Sequence, residues 1–371
     1  MFQQNNRGAG ATRRKFGTSI DVNSARNDDG AAAKGGKAGA PVEKRTTRSM
    51  VAGGEAFARA PTSRSNGNQM RDDVSSRPQG SSRTSVRSST FTVPNASSYQ
   101  HTGQVDNIDD RDREDPLCAT DYVQEMYTHF RGKEDSTSVR PTYMENQSHI
   151  NERMRAILVD WLVEVHLKFK LVPETLYLTV NLIDRYLERK EVERPKLQLV
   201  GVTCLLIASK YEEIYPPELR DLVYVCDRAY SGNEIIDMEE RVLKALEYQI
   251  TIPSAHAFLV RYLKAAHADK KIVQLACFVL DGTLQSYNLL HYLPSQLAAA
   301  AVFIARRSVG RNSWSPTLLK YAEYCEEEVI PVARSVLAEK NSTSPELRAV
   351  TKKYTSNRYG GVANTPLQCD F

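Results

Sequence analysis

The sequence predicts an all-α protein made of two helical bundles in tandem, and three observations lead to that prediction. From residue 115 to about residue 340, apolar residues recur at helical spacing, and proline or glycine separates the segments. No segment alternates apolar and polar residues for long enough to build a sheet. Two segments, 199–209 and 297–305, are apolar on nearly every side, so each is expected to be the central helix of its own bundle.

The first 105 residues are predicted to be a disordered, basic tail. They are rich in Gly, Ala, Ser, Arg and Asn and have no sustained hydrophobic period, so burial cannot offset the entropy lost on ordering. Residues 1–100 have a net charge of +9, whereas residues 101–371 have a net charge of −5. The part predicted to fold therefore lacks the positive field that binds nucleic-acid phosphates, and we expect no nucleic-acid partner.

Residues 106–148 are predicted to hold a linker and an N-terminal helix. The Asp115-Pro116 pair is a helix-start signal. Apolar side chains follow it at roughly helical spacing, namely Leu117, Tyr122, Met126 and Phe130.

The first bundle is expected to span residues 149–252. Proline is tolerated in the first turn of a helix, because backbone N–H groups at these positions have no acceptor within the helix. Three prolines stand at predicted helix starts, namely Pro173, Pro195 and Pro217. Ser231 with Glu234 predicts a capping box ahead of the last helix of the bundle.

The second bundle is expected to span residues 253–345, followed by an extension over 346–371. The two apolar segments lie about 100 residues apart, each preceded by two amphipathic helices and followed by two shorter ones. This order predicts a tandem repeat of a five-helix unit, with the boundary at the turn from Ile252 to Ser254.

Composition argues against membrane, metal and cofactor chemistry. The N-terminus lacks the apolar segment of a signal peptide, and the longest apolar run, 197–209, is too short for a bilayer. The six cysteines form no CxxC pair, and the seven histidines show no metal spacing. No HExxH, GxSxG, Walker or strand-to-helix GxGxxG motif is present. We expect a soluble intracellular protein of a reducing compartment that is not an enzyme, with no metal, no cofactor and no membrane partner.

Several stretches resemble the cyclin box in order, spacing and wording: MRAILVDWLVEVHLKFKL at 154–171, then NLIDRYL, KLQLVGVTCLLIASKYEEIYPPE and DMEERVLKALEY. The likeness runs from about Asp106 to Ala363 and includes YLPSQLAAAAVFIAR and LRAVTKKYTSNRYG. The segments VHLKF, YMENQSHINERMR and FLVRYLKAA resemble the B type. The resemblance implies tandem cyclin boxes and a non-catalytic subunit that activates the mitotic cyclin-dependent kinase in G2/M, in the nucleus and cytoplasm.

The resemblance also implies which residues bind the kinase. Lys210 and Glu239 would face it and hold its mobile αC helix and activation segment in the productive arrangement. Apolar neighbours would complete the surface, namely Ile207, Tyr211, Leu243, Tyr248 and Ile250, with Tyr122 as a flanking contact. From composition alone, an ordinary solvated pair near helix ends is the more common role for Lys210 and Glu239.

A second site is implied on the first long helix of the first bundle. Four apolar residues lie at i, i+3, i+4 and i+7 and so share one face, namely Met154, Ile157, Leu158 and Trp161, with Glu164 one turn beyond. Such a stripe is usually core, but Val159, Leu162, Val165 and Phe169 supply another apolar face for packing. In cyclins this region forms, with Leu197 and Gln198, a groove for Arg-x-Leu substrates. Arg155 and Asp184 match an internal ion pair between two helices.

A third site is implied in the tail. The segment RKFGTSIDVN at 14–23, read with Arg13, resembles a destruction box, which the anaphase-promoting ubiquitin ligase recognises. Phe16 replaces the usual leucine, and Ile20 and Asn23 lie later than the usual spacing. Ser344-Pro345 and Thr365-Pro366 are candidate phosphorylation dipeptides.

Two other classes of protein fit two cyclin-type repeats. A general transcription factor of this fold would need a zinc ribbon upstream and a basic folded core, whereas this chain has no Cys cluster and an acidic core. A helical scaffold without a kinase partner would leave unexplained why Lys210, Glu239 and the groove residues occur together.

Overall fold

The computed structural model describes residues 105–312 and 314–367 of the chain. Over these two ranges the protein has twelve α-helices and short 3-10 turns, and no strand. Helix α1 spans Val123–Thr137 and precedes two five-helix units, while α12, Ala349–Thr355, follows them. The all-helical prediction is therefore confirmed for the described residues.

The first unit consists of α2 Glu152–Phe169, α3 Pro173–Arg189, α4 Leu197–Glu212, α5 Leu219–Val225 and α6 Gly232–Ala245. Helix α4 contacts α2, α3, α5 and α6. Every residue from 199 to 209 is buried, because neighbours surround a helix that has no polar face.

The second unit consists of α7 Ala255–Ala265, α8 Lys270–Thr283, α9 Pro294–Ser308, α10 Pro316–Ala322 and α11 Glu326–Ser342. Helix α9 is central and contacts α7, α8 and α11, and every residue from 298 to 306 is buried. The expectation of two shorter helices after α9 is wrong for α11, which has 17 residues against 15 in α9. Val329, Val332 and Val336 recur at helical spacing and bury α11 over much of that length.

Several predicted helix starts are displaced. The capping box of Ser231 and Glu234 is present, and Pro173 occupies the first turn of α3. Helix α4, however, begins at Leu197, because Pro195 belongs to a preceding 3-10 turn. Helix α5 begins at Leu219 rather than Pro217, after an extended N-cap residue.

The start of α1 is displaced as well. Asp115-Pro116 begins only a short 3-10 turn, Pro116–Cys118, before α1 starts at Val123. Ala119 ends that turn with a left-handed backbone, φ +46°, which a continuing right-handed helix cannot accept.

Buried charges join the two units. The guanidinium of Arg155 on α2 donates from Nε and Nη2 to the two carboxylate oxygens of Asp184 on α3, both at 2.6 Å. Its Nη1 donates to the carbonyl of Leu284, beyond α8, at 3.0 Å. The expected Arg155–Asp184 pair thus connects α2 and α3 and also reaches the second unit.

The carboxylate of Asp281 on α8 connects three parts of the fold. It accepts from the Tyr177 hydroxyl of α3 at 2.7 Å, from Lys353 Nζ of α12 at 2.7 Å and from the Tyr354 hydroxyl at 2.8 Å. One buried carboxylate therefore joins the first unit, the second unit and the C-terminal extension.

Candidate functional site

The predicted charged pair forms a direct contact at the surface of the first unit. Lys210 lies in the last turn of α4, and Glu239 lies on α6, which packs against α4. The ammonium Nζ of Lys210 donates to both carboxylate oxygens of Glu239, at 2.6 and 2.8 Å. The Lys210 side chain is 52% exposed and that of Glu239 15%, so the pair offers mainly its cation to solvent.

The apolar residues predicted to complete this surface differ in exposure. Tyr211 and Tyr248 are exposed, whereas Leu243 and Ile250 are partly buried against the first-unit core. The Tyr211 hydroxyl lies 2.6 Å from the hydroxyl of Thr251, a contact that orients its ring. Ile207 is only 3% exposed, so the expectation that it contributes to the surface is corrected: its position on the inner side of α4 makes it core.

Two exposed apolar residues that follow Lys210 in the chain were missing from the predicted set. Ile214 is 87% exposed and Tyr215 is 77% exposed, directly after the end of α4. Pro216 and Pro217 follow them and remove two backbone N–H donors from the segment. Large apolar residues between a helix end and a Pro-Pro pair are the sequence signal that could have identified them.

The flanking residue Tyr122 is exposed and is the N-cap of α1. Leu117, in the turn before it, is also exposed, as is Met126 on the first turns of α1. The N-terminal helix therefore offers apolar side chains that the core of the described protein does not use.

The predicted groove residues divide into surface and core. Met154, Ile157, Trp161 and Gln198 are partly exposed, as is Glu164. Leu158 and Leu197 have no exposed surface, so the expectation that they line a groove is corrected. A Cβ on Gly201 of α4 would lie 2.7 Å from Leu158 Cδ1, which shows how closely α2 and α4 cross there. Val159, Leu162 and Val165 are buried as well, so α2 packs on both of its apolar faces.

The C-terminal extension borders the same part of α2. The carboxylate of Glu164 lies 3.5 Å from Lys352 Nζ, and Arg153 donates to Glu346 at 2.8 Å. No local signal could have predicted these contacts, because each joins residues nearly 200 positions apart.

Asp160 holds the start of α12 against α2. Its Oδ1 accepts from the backbone N–H of Ala349 at 2.8 Å and from Gln285 Nε2 at 2.7 Å. Burial nevertheless raises the pKa of Asp160 above its ordinary value, because desolvation of the carboxylate outweighs those hydrogen bonds. The carboxyl group therefore serves the fold rather than the surface.

The structure does not test the predictions for the destruction-box segment, a metal or a membrane. The residues of the destruction-box segment, Arg13, Phe16, Ile20 and Asn23, lie outside the described residues. Across 105–312 and 314–367, no group of three or more His, Cys, Asp or Glu is placed to hold a metal ion. In the same ranges, no helix combines the length and the hydropathy of a membrane span.

Family models match most of the described chain. The N-terminal cyclin domain matches residues 125–251, and the C-terminal cyclin domain matches residues 253–368. Among curated proteins, the chain is 43% identical over 261 residues to cyclin-B2-1 of Oryza sativa subsp. japonica, covering 70% of this chain and 62% of that protein. It is 43% identical over 259 residues to G2/mitotic-specific cyclin-1 of Medicago sativa subsp. varia, covering 69% and 60%. The chain thus spans about three fifths of the length of these relatives.

One solved structure shares the fold. A viral cyclin from herpesvirus saimiri superposes with a TM-score of 0.53 at 21% identity, over 58% of this chain and 96% of that one. The tandem helical units and the two family models lead to one conclusion, and the rice relative carries a B-type name. This chain belongs to the cyclin family.

Proposed function

We propose that this chain is a non-catalytic subunit that binds and activates a mitotic cyclin-dependent kinase through the surface around Lys210 and Glu239. The observation that carries the proposal is the surface pair of Lys210 and Glu239, with exposed Tyr211, Ile214 and Tyr215 following Lys210 in the chain. Exposed apolar residues together with a charged pair are typical of a surface that a partner covers. The G2/mitotic-specific name of one relative supports a role at the G2/M transition.

The proposed mechanism is positional. Lys210 and Glu239 would pair with backbone carbonyls and opposite charges of the kinase, while the aromatic rim excludes water. The contact would hold the kinase αC helix and activation segment so that the kinase's own Lys–Glu pair and metal-binding Asp are aligned for phosphoryl transfer. This chain would supply no reacting group.

Exchanging the two charges tests this proposal cleanly. The double variant Lys210→Glu/Glu239→Lys keeps an ion pair between α4 and α6 but reverses the charges that a partner meets. We expect this variant to fold. Because both charges then repel the groups that they would pair with on the kinase, kinase activation should fall at least about 100-fold. Full activation by this variant would refute the assignment of the surface.

The matched control is the exchange Glu240→Lys/Lys244→Glu. That pair lies on α6 as well, and both side chains are equally exposed, at 63%. It should leave kinase activation within about twofold of the unaltered chain, because surface pairs of this kind contribute little. Circular dichroism and thermal unfolding of both variants separate loss of binding from loss of folding.

We further propose that the partly exposed side of α2 recruits substrates with Arg-x-Leu motifs. Met154, Ile157 and Trp161 would accept the leucine, and Glu164 would accept the arginine, with Gln198 beside them. The double variant Met154→Ala/Gln198→Ala should slow phosphorylation of a protein with the motif and spare a short peptide without it. Equal loss on both substrates would contradict recruitment.

Finally, we propose that the chain acts in the nucleus and cytoplasm and is destroyed at mitotic exit by the anaphase-promoting ubiquitin ligase. Support comes from the likeness of residues 13–23 to a destruction box. Deleting them should prolong the half-life of the protein at mitotic exit, and unchanged turnover would refute this role.

A further inference from the structure

A cleft of about 780 Å³ lies in the second unit, between α8, α11 and the connection from α11 to α12. Its floor includes the buried side chains of Val279, Leu289 and Val336. Its charged lining residues are Lys340, Arg348 and Lys352 against one carboxylate, Glu339. None of the functions proposed above uses this cleft.

The carboxylate in the cleft is already engaged by neutral donors. Glu339 accepts from the Ser286 hydroxyl at 2.6 Å and from Asn288 Nδ2 at 3.0 Å. Lys352 is engaged as well, by Glu164 of α2 at 3.5 Å. The cleft therefore holds an excess of positive charge that its own acid does not neutralise.

Lys340 and Arg348 are the two lining cations that have no carboxylate partner. Lys340 Nζ lies 3.8 Å from the centre of the Phe278 ring, and burial lowers the pKa of this ammonium below its ordinary value. The guanidinium of Arg348 donates from Nε to the carbonyl of Pro345 at 2.7 Å, so it folds back over the turn. Within the described residues, neither has a carboxylate within 4.0 Å. Two cations that line one cleft without a carboxylate partner favour an anion in that cleft.

Ser344 lies between these cations in the sequence and lines the same cleft. It begins a turn in which Leu347 N–H donates to the Ser344 carbonyl at 3.0 Å, with Pro345 next in the turn. The segment 343–348 is outside any helix, and Ser344 is partly exposed. A Ser-Pro dipeptide in a non-helical segment is the form that proline-directed protein kinases modify.

The other two Ser/Thr-Pro dipeptides of the chain provide an internal comparison. Ser315 is buried and caps α10, where its hydroxyl accepts from Leu318 N–H at 3.2 Å. Thr365 is partly exposed but does not line the cleft. Ser344 alone among the three combines access with the two unpaired cations.

We infer that Ser344 is a phosphorylation site for a proline-directed protein kinase, and that Lys340 and Arg348 hold the phosphate in the cleft. The Ser344 Oγ bonds to the γ-phosphorus of a nucleoside triphosphate supplied by that kinase. The bond from this phosphorus to the nucleoside diphosphate breaks, and the hydroxyl proton is released to solvent. The added charge of about −1.5 to −2 meets two cations and ties the α11–α12 connection to α11.

The first test treats the full-length chain with a purified mitogen-activated protein kinase, a proline-directed enzyme that needs no cyclin, and magnesium ATP. Peptide mapping by mass spectrometry should find phosphate on Ser344 and Thr365 and none on Ser315. Phosphate on Thr365 without phosphate on Ser344 overturns the inference. Because this kinase acts independently, the result does not depend on the proposed function.

The second test measures how well the phosphate is held. A nonspecific phosphatase should remove phosphate from Ser344 about tenfold more slowly than from Thr365 in the folded chain, since charge-assisted hydrogen bonds shield it. Lys340→Met with Arg348→Ala should abolish that difference, whereas Lys270→Met, which removes an exposed lysine outside the cleft, should keep it. Circular dichroism checks that each variant folds, and an undiminished difference in the double variant overturns the inference.

Discussion

The two central helices share an Ile-Ala pair near their C-terminal ends. The first cation after that pair makes different contacts in each helix. In α4, Ile207-Ala208 is followed by Ser209 and Lys210, and in α9, Ile304-Ala305 is followed by Arg306 and Arg307. Lys210 points to the surface and meets Glu239 of α6. Arg306 is 4% exposed and donates to the carbonyls of Ala266 at 2.7 Å and Asn312 at 2.8 Å. The first repeat exposes this cation at its surface, whereas the second buries it in hydrogen bonds to its own backbone.

The surroundings of the two repeats explain this difference. The N-terminal segment packs on the second repeat, where Ile108 joins its core and Glu134 of α1 accepts from Ser295 at the start of α9. Tyr354 of the C-terminal extension joins the same core. The exposed aromatic residues beside α4 have no such cover from the described chain. The comparison teaches that one fold can occur twice in a chain, once covered by the flanking segments and once with an exposed surface.

The largest expected effect tests the division directly. Arg306→Ala should lower the free energy of unfolding by about 3 kcal/mol, because it leaves two buried carbonyls without their charged donor. Lys210→Ala should lower it by less than about 1 kcal/mol, since exposed pairs contribute little. Urea denaturation of both variants measures this contrast, and similar losses would show that the two cations are not used differently.

A second contrast lies within α2. Leu158→Ala should cost about 3 kcal/mol of unfolding free energy, because it opens a cavity where α2 crosses Gly201 of α4. Met154→Ala, four residues earlier on the same face, should cost about 1 kcal/mol, because that side chain is only partly buried. Equal costs in urea denaturation would argue against assigning Leu158 to the core and Met154 to the groove.

Asp281, which links the two repeats, should contribute to the pH dependence of the free energy of unfolding. Burial alone would raise the pKa of Asp281, but Lys353 and the hydroxyls of Tyr177 and Tyr354 outweigh it and lower the pKa below its ordinary 3.8. A carboxyl whose pKa is lowered by folding stabilises the protein above its unfolded pKa and loses that contribution as the pH falls through its folded pKa.

The unaltered chain should therefore lose more stability than Asp281→Asn when the pH falls from neutral to below 3.8. Urea denaturation at a series of pH values measures the difference between the two proteins. Parallel curves would mean that Asp281 is not the ionised link between the repeats.

The smallest expected effect concerns one helix end of the first repeat. Ser231 Oγ accepts from Glu234 N–H at 3.2 Å and caps α6, the helix that carries Glu239. Ser231→Ala should lower the free energy of unfolding by about 1 kcal/mol. Thermal unfolding followed by circular dichroism provides the measurement, and an unchanged midpoint would show that packing alone fixes the start of α6.

The sequence by itself determined the helices, the tandem order and the two buried central segments, because hydrophobic period and helix-start chemistry are local properties. The neighbouring segments SKYEE and MEERVL also indicated Lys210 and Glu239 as candidate site residues. Only the tertiary structure decided that Leu158, Leu197 and Ile207 are core and that the C-terminal extension reaches Glu164. The reason is physical: a helical period shows which residues share a face, but which face another helix covers depends on contacts between distant parts of the chain.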